Sequence, residues 1–206
     1  MPIQIIKNPI ANVTDINKNP LPDFSLFEEA RLYRPMAGKI YRMLPVETHR
    51  GCPYQCTYCN SPAQKGLYSD AKAGTFFRKK RIDVVRKEIE FYVKEWRAEY
   101  FYFWADTFFA YSEKEFEEFV DMYKDIGIPF WCQTRPETIT EKRIKKLRDV
   151  GLQRMALGIE HGNEEFRKKI INRNVKNETI IRAFDIIHSF SLPAGVSVNN
   201  IVGFPT

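Results

Sequence analysis

Arg50-Gly51-Cys52-Pro53-Tyr54-Gln55-Cys56-Thr57-Tyr58-Cys59-Asn60 places three of the chain's four cysteines within eight residues. The spacing Cys-x-x-x-Cys-x-x-Cys lets one short loop wrap a compact metal centre. Thiolates are soft ligands suited to iron-sulfur clusters or zinc, and a 4Fe-4S cluster ordinarily takes four of them. Three leave one iron without a protein ligand, and an open coordination position separates a catalytic metal from a closed structural one.

Two other uses of clustered cysteines compete. Three cannot all pair locally as disulfides, and Met1-Pro2-Ile3-Gln4-Ile5-Ile6-Lys7 lacks the apolar stretch of a secretory signal. A structural zinc site needs a fourth ligand, which His49 or Cys132 could supply, although no second cysteine knuckle is present.

Outward from the loop, strands alternate with helices. Ile40 to Thr48 reads as a first strand carrying the cysteines at its end. An amphipathic helix is predicted over Ile82–Trp96, then the aromatic strand Tyr100–Trp104 and the turn Ala105-Asp106-Thr107. Ser112-Glu113-Lys114-Glu115 is a capping box opening a helix with Phe116, Phe119, Val120, Tyr123 and Ile126 inward, which Gly127 ends. Pro129–Thr134 is the third strand, with Arg135 at its end and Cys132 as a buried small residue. A helix capped by Thr140 runs to Val150, and the fourth strand, Arg154–Glu160, continues as His161-Gly162. Helices follow over Glu164–Ile171 and, capped by Asn177, Glu178–Phe190, with Ile180, Ile181, Phe184 and Ile187 inward. The last strand spans Ala194–Val202 before Gly203.

This alternation predicts an α/β fold with a parallel sheet. In a parallel barrel, sites gather at the carboxyl ends of strands, where Cys52–Cys59, Asp106, Arg135 and Glu160 all fall.

The cysteine spacing, with Tyr58 just before the third thiol, resembles the signature of the radical S-adenosylmethionine (radical SAM) family. The resemblance implies a partial TIM-like (β/α) barrel truncated after its fifth strand, over 40–206. It implies Cys52, Cys56 and Cys59 as ligands of a 4Fe-4S cluster whose free iron chelates S-adenosylmethionine (SAM). The reduced cluster passes an electron to the sulfonium, and the 5′-deoxyadenosyl radical takes a hydrogen atom from substrate. Tyr58 would lie by the adenine, Arg135 meet the SAM carboxylate, and Asp106 replace part of an acidic motif whose first acid is here Ala105. Gly158-Ile159-Glu160-His161-Gly162 resembles the family's Gly-Ile-Glu-x-Gly motif, placing Glu160 at the ribose or methionyl end, with His161 a weaker candidate. Asn199-Asn200-Ile201-Val202-Gly203 resembles Gly-x-Ile-x-Gly, making Ile201 and Gly203 backbone contacts to adenine. A reductant such as flavodoxin or ferredoxin would supply the electron.

Residues 1–39, rich in Pro, Asn and Asp, read as an extended linker. Within it Leu21-Pro22-Asp23-Phe24-Ser25-Leu26-Phe27 resembles the segment that follows a cobalamin-binding domain in the cobalamin-dependent branch, which includes methyltransferases and ring-forming enzymes. A second enzymatic reading is a tRNA methylthiotransferase-like protein; a third, from another class, is a zinc-stabilised nucleic-acid-binding module. Net charge +6 and the basic runs Arg78–Arg81 and Lys142–Arg148 invite the nucleic-acid readings, though the second run also reads as a solvated helix face. With 28% charged and 44% hydrophobic residues and no membrane-length apolar run, a cytoplasmic protein is expected.

Overall fold

Five parallel strands, joined through helices, curl so that residues far apart along the sheet share one central cavity. The computed structural model describes residues 8–204. The strands are β1 (Tyr33–Met36), β2 (Lys39–Glu47), β3 (His49–Arg50), β4 (Arg78–Lys79), β5 (Tyr100–Trp104), β6 (Phe130–Thr134), β7 (Leu152–Glu160) and β8 (Val196–Asn200). The helices are α1 (Ser61–Asp70), α2 (Ile82–Trp96), α3 (Glu113–Tyr123), α4 (Glu141–Asp149), α5 (Glu164–Lys169) and α6 (Asn177–Ser189). The main sheet runs β1-β2-β5-β6-β7-β8, parallel except for the antiparallel β1–β2 hairpin, and β3 pairs with β4. This is the partial (β/α) barrel expected, with β2, β5, β6, β7 and β8 as its five parallel strands.

The two-residue alternation sorts each strand. Phe101 and Phe103, Phe130 and Cys132, and Met155 and Leu157 face the helices and form the main core with Val85, Ile89 and Tyr92 of α2 and Phe116, Phe119 and Tyr123 of α3. Phe103 sits at its centre, with the rings of Phe108, Phe119, Tyr123 and Phe130 at centroid distances of 5.4, 5.2, 5.7 and 5.1 Å. The opposite face carries Tyr100, Tyr102 and Trp104 on β5 and Trp131 and Gln133 on β6, of which Trp131 and Gln133 line the lumen.

The capping box is present: Ser112 accepts from the Glu115 amide and Glu115 accepts from the Ser112 amide. The Thr140 cap is likewise present. Asn177, in contrast, is the first residue of α6, not its cap; its amide donates to Glu164 and its side-chain oxygen accepts from Arg167. Ile181 is 60% exposed, on the outer face of α6, while Ile180 and Ile187 point inward. Strands β1, β3 and β4 and helix α1 were not anticipated. Part of the described segment before β2 is docked on the barrel, with Phe24 buried against Tyr92 and Trp96 at 5.2 and 5.6 Å. No helix among the described residues is long and apolar enough to cross a membrane.

Most of the two basic runs is spent on carboxylates, while Arg78 donates to the carbonyls of Thr14 and Phe76. Lys79 pairs with Glu115, Arg81 with Asp83, and Lys80 with Glu88 at 2.6 Å, the last pair buried. Lys142, Arg143 and Lys146 of α4 pair with Glu113 and Glu117 of α3. The charge that suggested a nucleic-acid surface is therefore largely neutralised in place.

Candidate active site

The cysteine loop leaves β2 through a tight passage. The Thr48 amide donates to the Trp104 carbonyl and the Lys80 amide to the Thr48 carbonyl, so the strand end is held from both sides. Gly51 adopts φ +83, and a Cβ there would lie 2.8 Å from the Phe76 ring, so both conformation and space require glycine. The loop then closes on itself with Cys59 N–H to Cys56 O at 3.2 Å, and α1 begins at once, the Ser61 amide lying 3.4 Å from Cys59 Sγ.

Its far side is pinned by the turn after α5. Thr57 donates its amide to Ile171 O at 3.0 Å and its hydroxyl to Ile170 O at 2.6 Å, while Asn172 donates to Gln55 O at 3.0 Å. The next residue, Arg173, is 3% exposed and donates to Glu160 Oε1 at 3.1 Å and to the Gly158 carbonyl. Glu160 itself is 7% exposed and has φ +72, a left-handed conformation unusual for a residue with a side chain. It sits at a β-bulge between β7 and β8, and a Cβ on Gly158 would fall 2.2 Å from its carboxylate.

A cleft of ≈ 280 Å³ opens at the carboxyl ends of the strands. All three cysteines line it, together with Tyr58, Asp106, Arg135 and Glu160. Arg135 donates to Cys56 Sγ at 3.1 Å, pairs with Glu137, and lays its guanidinium 3.7 Å over the Tyr54 ring. Asp106 is exposed and accepts from the Ser61 hydroxyl at 3.2 Å. Burial pushes the Cys52 thiol up, the Tyr54 amide pulls it down, and Asp106 adds to the rise. Burial, then the neighbouring Glu160 carboxylate, raises the Tyr58 phenol well above its ordinary range.

Three sequence candidates, Ile201, Gly203 and His161, lie outside the lining. Ile201 spends its amide on the Glu160 carbonyl at 2.8 Å, and Gly203 follows the end of β8; the bulge at Gly158/Glu160 carries the chain away, leaving Asn199 as the β8 residue in the cleft. His161 accepts from the Asn163 amide and stacks on Phe166 at 4.2 Å, a turn-stabilising position. Arg173, Tyr54, Ser61 and Gln133 line the cleft without having been singled out from sequence.

The donor set separates the metal readings. All four cysteines are free thiols, which removes a disulfide framework. Cys132 is fully buried on the helix-facing side of β6, and His49 packs against Phe77 and Tyr111, so neither proposed fourth zinc ligand joins the cleft. Among the described residues no group of three His, Cys, Asp or Glu side chains could hold a single metal ion. Three thiols lining one cleft suit a multinuclear iron-sulfur group with an open position.

Fold and cleft together define a partial parallel barrel bearing a three-thiol centre at the carboxyl ends of its strands. A family model described as the radical SAM superfamily matches residues 46–206. The chain belongs to that superfamily, whose members use a 4Fe-4S cluster and SAM. It is 26% identical over 168 residues to the ribosomal protein uS12 methylthiotransferase RimO of Thermosipho africanus, covering 78% of this chain and 37% of that protein. An uncharacterised protein of Methanocaldococcus jannaschii, MJ0550, is 36% identical over 85 residues, 40% of this chain and 22% of its own. Among solved structures, the radical SAM methyltransferase TsrM of Kitasatospora setae, with cobalamin and a [4Fe-4S] cluster, superposes with TM-score 0.60 at 16% identity, covering 79% of this chain and 31% of its own. The cobalamin-dependent enzyme OxsB gives 0.59 at 18% identity, over 77% and 23%. The chain thus spans well under half the length of these proteins.

Proposed function

We propose that this chain is the core of an enzyme that reductively cleaves SAM to start radical chemistry on an organic substrate. The observation that carries the reading is the gathering of Cys52, Cys56 and Cys59 in one cleft with Arg135 and Glu160. Cys52, Cys56 and Cys59 would hold a 4Fe-4S cluster, which when bound would supply the one-electron reduction of SAM. Arg135 donates to the Cys56 sulfur and brings positive charge to the side where a carboxylate would approach. Glu160, held by Arg173, presents acceptors for ribose hydroxyls or an ammonium group. Tyr58, protonated through the physiological range, offers a flat apolar face beside Glu160 for the adenine. Asp106 and Ser61 close the rim opposite.

Within this class the reaction is cobalamin-dependent methyl transfer or ring formation, with flavodoxin or ferredoxin as reductant. Support comes from the Leu21–Phe27 segment, where Asp23 caps a short turn and Phe24 docks on α2, a geometry suited to a connector leading into the barrel. A second reading, methylthio transfer to a macromolecule, is favoured by the RimO relatives.

Anaerobic reconstitution of the full-length protein should yield about four iron and four sulfide per chain, and dithionite with SAM should release 5′-deoxyadenosine. Alanine at any of the three cysteines should abolish both. Equimolar zinc without sulfide, or cleavage surviving the substitutions, would overturn the reading. Bound corrinoid, or a methylthio mass gain on product, separates the two finer reactions.

A further inference from the structure

Beneath the cysteine cleft lies a second cavity of ≈ 410 Å³, bounded by β1, β2, β6, β7 and β8. Gln133 and Asn199 line both, so the lumen opens directly onto the three-thiol site. Two arginines, Arg34 of β1 and Arg154 of β7, face this lower cavity. Among the described residues neither has a carboxylate within ion-pair distance: Arg34 lies 5.6 Å over the Tyr102 ring, and Arg154 makes only a 4.0 Å contact with Met36 Sδ.

Nor, among the described residues, does either donate to a backbone carbonyl, as Arg78 and Arg167 do in place of an ion pair. Arg42, Arg50, Arg135, Arg143 and Arg173 each have a carboxylate partner. A floor that needed only filling would use apolar groups, as Met36 and Met43 do there. Arg34 is exposed on the hairpin, whereas Arg154 is half-buried, and its guanidinium without an anion forfeits solvation and gains little in return. The Tyr100 hydroxyl, in the same cluster as Met36 and Met43, is buried without a hydrogen-bond partner, another donor awaiting an acceptor. Trp131 lines the lower cavity and stacks on Tyr102 at 5.9 Å and 13°, and Trp104, 61% exposed, lies 6.2 Å from Tyr102.

We propose that the lumen binds the substrate, an elongated molecule with an oxyanion at one end and a planar group beyond it, Arg34 and Arg154 taking the oxyanion and Tyr102 and Trp131 flanking the planar part. The assignment rests on the radical SAM reading for its orientation: the end remote from the oxyanion reaches Gln133 and Asn199, beside the cleft. Arg154 and Gly158 are four residues apart on β7, about 13 Å, which sets the length of substrate that spans floor to cleft. Guanidinium forks suit carboxylate and phosphate alike, so the charge and the ring define the class.

The test is calorimetric titration of the full-length, cluster-reconstituted protein with SAM and no reductant, using phenylpropionate and phenyl phosphate as probes and phenylpropionamide as neutral control. One anion should bind saturably at one site and the amide should not; which anion binds tells carboxylate from phosphate. Arg154→Met and Arg34→Met should each weaken binding about tenfold or more, the loss of a charge-assisted hydrogen bond, and Arg154→Lys should recover part of it. Arg34→Met lies on an exposed hairpin, so it carries the test if Arg154→Met fails to fold. Equal binding of the amide, wild-type affinity in both variants, or no saturable binding overturns the proposal. Formation of 5′-deoxyadenosine without substrate is measured in parallel: its loss in the wild type would count against SAM cleavage, its persistence in the variants isolates the lumen.

Discussion

Replacing Arg173 by Met removes the cation that holds Glu160, and the structure sets the cost. Arg173 is 3% and Glu160 7% exposed, with Nη1 to Oε1 at 3.1 Å, and the second nitrogen serves the Gly158 carbonyl. Breaking one side of such a pair leaves a buried charge uncompensated, about 3–5 kcal/mol. Glu137 cannot substitute, since it is itself acidic and lies 4.0 Å from the guanidinium. Glu160→Gln keeps an acceptor of nearly the same shape and should cost about 1–2 kcal/mol. In the double variant neither charge remains, so its loss should fall short of the sum of the singles by about 2 kcal/mol. Urea unfolding of the full-length protein measures all four corners, and SAM binding by equilibrium dialysis should weaken in each single variant. Additivity within about 0.5 kcal/mol would refute the pair as an energetic unit, and unaltered SAM affinity in Glu160→Gln would remove Glu160 from the SAM contacts.

Three further outcomes follow from the same geometry. Lys80→Met strands the Glu88 carboxylate with only the Tyr92 hydroxyl at 2.9 Å and should lower stability by about 3–5 kcal/mol; lost RNA affinity at unchanged stability would instead restore the charge-run reading. His49 is 2% exposed, and burial, helped by Lys79, lowers its pKa from the ordinary 6.5 to about 3. The unfolded chain takes up a proton there that the folded one refuses, so stability is undisturbed above 6.5 and falls as pH drops from 6.5 toward 3, by a few kcal/mol in total; His49→Gln should flatten that part of a urea-midpoint profile. Gly158→Ala puts a methyl 2.2 Å from the Glu160 carboxylate and should impair SAM cleavage far more than it changes cluster content.

What could be read without coordinates was what local chemistry dictates. The thiol triplet, the periodic stripes of α2 and α3, and the caps at Ser112 and Thr140 each depend on residues a few positions apart, and each is where it was expected. Tyr33-Arg34-Pro35-Met36 escaped because Pro and Arg mask a strand that exists through pairing with β2. Helix α1 escaped for want of an apolar stripe; its start is set by the loop and Pro62. The basic runs misled because the carboxylates that neutralise Lys142 and Arg143 lie on another helix. Arg173 carried no signal at all, its partner Glu160 lying 13 residues upstream.

That last pairing bears on how the site is assembled. Four consecutive residues, Ile170 to Arg173, hold the cysteine loop through Thr57 and Gln55 and the β7 terminus through Glu160 and Gly158. Asn172 takes φ +54 within this turn, which lets its amide and the next guanidinium serve different partners. The distance between the three cleft thiols and the Glu160 carboxylate is therefore governed less by the strands than by one turn following a helix of six residues, Glu164–Lys169. That turn is anchored in its own right: Arg167, fully buried, donates to the carbonyls of His161, Gly162 and Val175. A strained acid at φ +72 persists only where its surroundings over-determine it, and here the over-determination comes from the element that also fixes the thiols. Loosening Arg167 should then displace Glu160 and the cysteine loop together, whereas a change confined to α1 should disturb the loop alone.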